Sequence, residues 1–347
     1  MMILPEIAAD CGGDIHLPEN LYVISILLED EMSGSTDTVR AKIGDQIYLT
    51  DGGLETVMIF HEGLDLPQFA SFTLLDDAAG LAALTRYYNG FLDEAAAQGT
   101  GFILDAATWR ASAGWGQAMG LAPEVIDGAN RKAVQLVQAL QTERMAKGQQ
   151  VVTNGVIGPH GDAYAPDQVL TAAAAQNYHQ RQVEVLAAAG VDMISAMTIS
   201  SHGEAIGVAR AAAAVGRPVA LSFTLETDGR LISGMTLQDA IQRTDDATGG
   251  APLWYGINCA HPDHFRHVLT GDWVARIGSV RANASRQSHA ELDEATVLDD
   301  GDARELAQDY HQLLHLLPGL HVLGGCCGTD LRHVAAIGRS CLHHHPH

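Results

Sequence analysis

The sequence predicts an α/β protein, a single (β/α)8 barrel preceded by an N-terminal arm. Short β-like runs alternate with longer helix-like stretches through most of the chain, which implies a parallel sheet. Eight such units fit into about 300 residues, the scale of a closed barrel. No glycine-rich dinucleotide fingerprint follows the first strand, where Asp51-Gly52-Gly53-Leu54-Glu55 has the wrong spacing. That absence counts against an open doubly wound sheet.

Residues 1–42 show no clear periodicity and carry an acidic patch at Glu29-Asp30-Glu31 and a Ser/Gly/Thr stretch from Ser33 to Thr38. They are expected to form a poorly structured arm. Residues 43–340 are expected to form the barrel. Its strands are predicted at Ile47–Thr50, Gly101–Ala106, Gln150–Val156, Val191–Met197, Pro218–Thr224, Leu253–Asn258, Val274–Val280 and His321–Gly324. Helical apolar spacing fills Ala78–Gln98, Ala122–Lys147, Asp167–Ala189 and His202–Val215. Three of these helices run into a glycine stop, at Gly99, Gly190 and Gly216. Residues 341–347 are a His-rich tail, which binds stray metal more readily than it builds a specific site.

Composition narrows the function. The chain has 347 residues, 47% hydrophobic and 18% charged, as expected of an enzyme with a large core. Its net charge of -22, from 42 acids against 20 bases, repels phosphate backbones and anionic membranes, so neither nucleic acid nor membrane is an expected partner. No run approaches the roughly 18 apolar residues of a membrane span, and the N-terminus lacks the pattern of a secretory signal. The five cysteines are an odd and uneven set, unlike a disulfide framework, and fit a reducing cytoplasm. A homo-oligomer is compatible with all of this.

Three of those cysteines carry chemistry. Cys326 and Cys327 sit between glycines in Gly324-Gly325-Cys326-Cys327-Gly328, and adjacent cysteines rarely pair with each other. Cys259 closes Gly256-Ile257-Asn258-Cys259. These are the ends of the predicted sixth and eighth strands, and barrel active sites lie at strand C-termini, so all three sulfurs belong to one mouth. The expected site is zinc on three thiolates with an open fourth position. Such an electron-rich ion generates hydroxide poorly and suits a soft fourth ligand. A substrate thiol, with a free pKa of about 8.5, would bind it as thiolate and act as nucleophile. Two other readings stay open here: a closed structural zinc completed by a residue such as His261, and three buried thiols with no metal. A zinc hydrolase is disfavoured, because no histidine pair with an accompanying acid marks the strand ends.

At these motifs the sequence resembles the homocysteine S-methyltransferase family, from about Gly44 to Gly338. Asp51-Gly52-Gly53-Leu54-Glu55-Thr56 resembles the family's opening strand motif, and Gly158-Pro159-His160-Gly161-Asp162-Ala163-Tyr164 its loop after the third strand. Ser222-Phe223-Thr224, the stretch from Gly229 to Leu237 and the two cysteine motifs also match. The resemblance implies a (β/α)8 barrel, Zn2+ on Cys259, Cys326 and Cys327, and methyl transfer from an onium donor to a thiol, homocysteine giving methionine. It places Asp51 near the thiol substrate's ammonium group, with Asn258 and Asn283 close to the site. Their other reading is hydrogen bonding in turns or behind the ligands. Glu55 neighbours the site or serves the helix dipole.

Two departures bear on the substrate. Met197 stands where the family has a glutamate that grips the homocysteine amino group, and Glu204 has the wrong spacing to replace it directly. After the second strand the chain has Asp105, Thr108, Trp109, Arg110 and Ala111. Arg110 offers a fork for a carboxylate or forms a surface ion pair. Trp109 and Trp115 face an onium donor or pack against the rim. A mercapto-acid without an α-amino group would suit Met197 and Arg110. The same loss also motivates an alternative, a non-catalytic zinc- and thiol-binding barrel derived from the family. No nucleotide motif is visible, which favours a small onium donor over an adenosylated one.

Overall fold

Eight parallel strands pair in sequence order and close on themselves, with β1 bonded to both β2 and β8. The computed structural model describes residues 38–44, 46–164, 168–294 and 297–342. The strands are β1 (Tyr48–Leu49), β2 (Gly101–Ala106), β3 (Val151–Ile157), β4 (Met193–Ile199), β5 (Val219–Phe223), β6 (Tyr255–Asn258), β7 (Ile277–Ala282) and β8 (Val322–Gly325). Helices follow them on the outside, and one buried apolar core lies between the two layers. This is the (β/α)8 barrel that the alternating pattern predicts.

Strand and helix boundaries follow local chemistry. Asp77 caps Ala78–Gln98 by accepting from Ala79 N and Gly80 N at 2.8 Å each, and Gly99 ends the helix in the left-handed region. Thr171 and Ser201 cap the helices Ala172–Ala189 and His202–Ala214 in the same way. Among the strands, the largest shift from expectation is in β7. Residues Asp272–Arg276 form a 3-10 turn, so the strand starts at Ile277 and runs on to Ala282. That shift brings Arg281 into the sheet.

The boundary drawn at residue 43 also moves. Residues 38–43 are helical, and Val39 and Ile43 close the barrel floor with Tyr48, Ile103, Met193 and Trp254. Residues 1–37 of the expected arm lie outside the described residues, as do 343–347 of the His-rich tail. Cys341, read as the start of that tail, is a buried core residue of the last helix, Leu331–Leu342. Among the described residues, no helix is long and apolar enough to cross a membrane.

One helix residue ties together the strands that carry the site. Tyr310, fully buried on Ala303–Leu316, receives Ala282 N at 2.7 Å and donates to Gly324 O at 2.6 Å. It thus pins β7 to β8 from outside. Tyr310→Phe leaves a buried donor and a buried carbonyl short of a partner, so unfolding free energy should fall by about 1–3 kcal/mol. Chemical denaturation checks this: the midpoint should drop at constant m-value, and an unmoved midpoint would contradict the assignment.

Candidate metal centre and active site

The three thiols that the sequence singles out meet at the C-terminal mouth. Their sulfurs all lie within 4.8 Å of one another, Cys259 Sγ standing 2.6 Å from Cys326 Sγ and 3.7 Å from Cys327 Sγ. The longer separation matches the edge of a tetrahedron with metal–sulfur bonds of about 2.3 Å, roughly 3.8 Å. The shorter one exceeds a disulfide bond of about 2.05 Å. A soft, convergent donor set of this kind fits a metal ion.

Local structure explains how the sulfurs converge. β7 lies between the two cysteine-bearing strands, and its successive carbonyls hold both: Cys259 N donates to Arg281 O at 3.1 Å and Cys326 N to Ala282 O at 2.9 Å. Gly324 and Gly325 are required by packing rather than by a turn. A Cβ on either would stand 1.9 Å from a threonine hydroxyl, Thr50 or Thr329 respectively. The turn itself is made at Gly328, φ +78°. Cys259 and Thr198 both adopt positive φ, 54° and 62°, a conformation that costs non-glycine residues, above all β-branched ones. Asn258 offsets this strain by accepting from Thr198 N and donating to Thr198 Oγ1, both at 2.8 Å.

Electrostatics single out Cys259 as the thiolate. Donation from Cys326, then Cys327, with help from Tyr164 and Thr198, holds its pKa well below that of a free thiol. The same hydrogen bond to Cys259 pushes Cys326 up to about 12, and Cys327 is raised as well. His261 is not part of this cluster. Its imidazole accepts from Asp263 N and faces Asp309, and burial lowers its pKa to about 4. The expectation of His261 as a closing fourth ligand is therefore not supported.

Below the sulfurs, a guanidinium crosses the barrel. Arg281, 9% exposed, donates through Nη2 to Asp51, through Nη1 to Asp105 and through Nε to Gly325 O at 3.1 Å. Asp51 also accepts from Tyr87 Oη at 3.1 Å, and Asp105 from Asn154 Nδ2 at 2.7 Å. Burial pushes Asp51 up to about 7 despite the pull of Arg281. Burial acts to lower the Arg281 pKa, but the two carboxylates more than reverse that and hold it above the ordinary value.

On the β2 side of the mouth, the Arg110 guanidinium lies 4.0 Å from the Trp109 ring centre and 3.7 Å from that of Trp115. Each indole thus has a protein cation over its ring, so of the two readings of Trp109 and Trp115 the structure favours packing within the protein. Glu55 accepts from Ser71 at 2.8 Å and lies close enough to sense Cys326 and Arg110, with burial raising its pKa.

Comparison with known proteins agrees with this geometry. Residues 48–341 match the homocysteine S-methyltransferase family. The chain belongs to that family. It is accordingly a methyltransferase. A curated relative, the homocysteine S-methyltransferase of Escherichia coli, is 25% identical over 218 residues, 59% of this chain and 69% of that protein. Two solved structures of the Escherichia coli homocysteine methyltransferase MmuM share the fold. The oxidized form has a TM-score of 0.67 at 22% identity, covering 84% of this chain and 95% of that one. The metallated form has a TM-score of 0.67 at 21% identity, covering 87% and 99%.

Set against the family motifs, the predicted site residues fall into two groups. Cys259, Cys326 and Cys327 converge. Asn258 and Asn283 stand behind them: Asn258 Nδ2 lies 3.8 Å from Cys326 Sγ, and Asn283 donates to Cys259 O at 3.1 Å. Asp51 is engaged by Arg281, and Met197 is half-buried near the end of β4. Glu204 does not stand in for the missing acid, because His160 N and His179 Nε2 take its Oε1 at 2.6 and 2.9 Å. Two residues escaped the sequence reading. Arg281 had a usable signal, a lone charge in the apolar run Ile277–Ala282 that burial obliges to find partners. Tyr164, hydrogen-bonded to Cys259 and stacked on His289 at 3.9 Å, had none beyond its motif.

Metal loading should carry the signature of these thiols. A metal takes these ligands as thiolates, and mutual hydrogen bonding with burial holds Cys326 and Cys327 above the ordinary thiol range, so binding must displace protons and affinity should rise with pH. Competition titrations with a chelator between pH 6 and 8 measure that slope, and a flat profile would be incompatible with the ligand set. Cys326→Ala should abolish stoichiometric metal, which elemental analysis reads directly.

Proposed function

We propose that the protein moves a methyl group from a small onium donor to a thiol held at Zn2+ on Cys259, Cys326 and Cys327. The thiol is homocysteine, giving methionine, or a related mercapto compound. The observation that carries this reading is the convergence of three thiols at a barrel mouth, with no fourth protein ligand in that cluster among the described residues. Three protein ligands and one open position is the arrangement of a catalytic rather than a structural ion. The metallated form of MmuM supports a metal here, and thiolate ligands favour zinc over hard cations. A reducing cytoplasm is the setting in which these thiols stay available.

Zinc supplies a Lewis acid that keeps a substrate thiol deprotonated at neutral pH. The chain's own residues then fix geometry. β7 sets the spacing of the cysteines, Asn258 holds Thr198 and the strained end of β6, and Tyr164 and Thr198 donate to Cys259. In the transfer, a lone pair of the substrate sulfur forms the new S–CH3 bond as the donor's bond to the methyl carbon breaks. The electron pair of that bond stays on the departing heteroatom, which leaves neutral. The thiol proton has already been lost to solvent, so the transfer step itself needs no general base. The catalytic demand is in-line alignment of sulfur, methyl carbon and leaving atom.

Labelled-methyl transfer from S-methylmethionine, a betaine, a dimethylsulfonio compound and S-adenosylmethionine to a panel of thiols tests this. At least one small onium donor should give methylated thiol. Chelation or Cys327→Ala should lower the rate by about a hundredfold or more, the loss of several kcal/mol of activation. Full turnover after either treatment would sink the proposal.

A further inference from the structure

We infer that the thiol methylated here is a mercaptocarboxylate without an amino group, and that Arg281 is the residue that turns amino thiols away. This rests on the reading above, that a thiol is the methyl acceptor at the three cysteines.

A substrate ammonium leaving water needs a carboxylate of its own, because an unpaired buried charge costs several kcal/mol. Each acid near the described mouth accepts at least one hydrogen bond, and Asp51 and Asp105 are taken up by a protein cation. Asp51 and Asp105 share the Arg281 guanidinium, and their remaining oxygens accept from Tyr87 and Asn154. Glu204 is held by His160 N and His179, Glu55 by Ser71, and Asp162 by Tyr164 N at 2.9 Å. Met197 adds no charge. The place between Asp51 and Asp105, where an ammonium would find two carboxylates, is filled by a cation that belongs to the protein and cannot leave.

The position of that cation matters. Arg281 is in register with Asn258 on β6 and Gly324 on β8, the residues just before Cys259 and just before the Gly325-Cys326 step. It therefore sits on the strand between the two that carry the sulfurs, and its side chain reaches Gly325 O, Asp105 and Asp51. The ammonium of homocysteine, on the third carbon from the sulfur, would meet that guanidinium wherever it sought Asp51 or Asp105.

Arg110 offers the opposite. Its guanidinium is held flat between two indoles, its buried Nε has no partner, and Nη1 makes only a long contact of 3.4 Å to Gly161 O. A planar fork with unused donors matches a carboxylate. Tyr164 and Glu55 connect it to the site: each senses the cysteines, and each is felt by Arg110. The pocket thus carries a receptor for an anion and has closed its receptor for a cation.

The test is calorimetric titration of the zinc-loaded full chain with homocysteine, 4-mercaptobutyrate and 4-mercaptobutanol, alongside methyl-transfer rates with the same thiols. 4-Mercaptobutyrate should bind about a hundredfold more tightly than homocysteine, the equivalent of an uncompensated buried ammonium. It should also bind more tightly than the alcohol. Homocysteine binding as well as or better than 4-mercaptobutyrate, or the alcohol matching the acid, overturns the inference while leaving thiol methylation intact. If none of the three binds, the parent reading fails and the inference with it. Two variants locate the effect. Arg281→Met should shift the preference toward homocysteine by tenfold or more, and Arg110→Gln should weaken the acid but not the alcohol. Should Arg281→Met fail to fold, the wild-type panel and Arg110→Gln still decide the matter.

Discussion

The site depends on one strand that contributes no ligand. Successive carbonyls of a strand point to opposite neighbours, and in β7 the pair Arg281 O and Ala282 O receives Cys259 N on one side and Cys326 N on the other. The two cysteine motifs, far apart in sequence, are thereby registered against a common ruler. Tyr310 holds that ruler from outside through Ala282 N and Gly324 O, and Thr50 and Thr329 pack so tightly on Gly324 and Gly325 that no side chain fits. A metal site needs its ligands within a fraction of an ångström, and here the precision comes from backbone pairing deep in the barrel wall.

Part of the backbone strain lies at the cysteines, and part at Gln68 and Phe69. Cys259 and Thr198 hold left-handed backbone angles, and the reciprocal Asn258–Thr198 hydrogen bonds stabilise them. Three thiols crowded into one place would repel each other if all ionised without a counter-charge, and their mutual hydrogen bonds accordingly lower Cys259 while raising Cys326 and Cys327. A divalent cation resolves that frustration by stabilising all three thiolates together.

Much of this was legible in the sequence, and the rest was hidden for definite reasons. Alternation of strand and helix gave the barrel, because a two-residue period and a 3.6-residue period are local properties. The glycine stops at Gly99 and Gly190 and the long helix at Ala78–Gln98 were readable on the same ground. The cysteines were found because topology, once guessed, sends every strand end to one face. Arg281 was not, since its partners Asp105 and Asp51 lie 176 and 230 residues away and meet it only through the inward pleat of β7. The late start of β7 hid it further, because the apolar Val274 drew the predicted strand toward what is a 3-10 turn. Trp109, Arg110 and Trp115 were visible as residues, but nothing local distinguishes an indole facing a ligand from an indole facing its neighbour's guanidinium. The floor helix at 38–43 is too short for periodicity to register, and only the burial of Val39 and Ile43 identifies it.

The arrangement also separates two functions that a single motif seems to merge. The three thiols lie at the ends of β6 and β8, with β7 carbonyls as the frame. The side chains around them come from other places: Asp51 after β1, Asp105 on β2, Met197 on β4, Arg110 beyond β2, and the Arg281 side chain itself. Backbone carbonyls are indifferent to the side chain they carry, so position 281 can present a guanidinium inward without disturbing the hydrogen bonds that register the cysteines. The same residue registers the cysteines with its main chain and places a cation between Asp51 and Asp105 with its side chain. The frame that registers the cysteines and the charges that surround them are therefore free to vary independently, because they belong to main chain and side chain respectively.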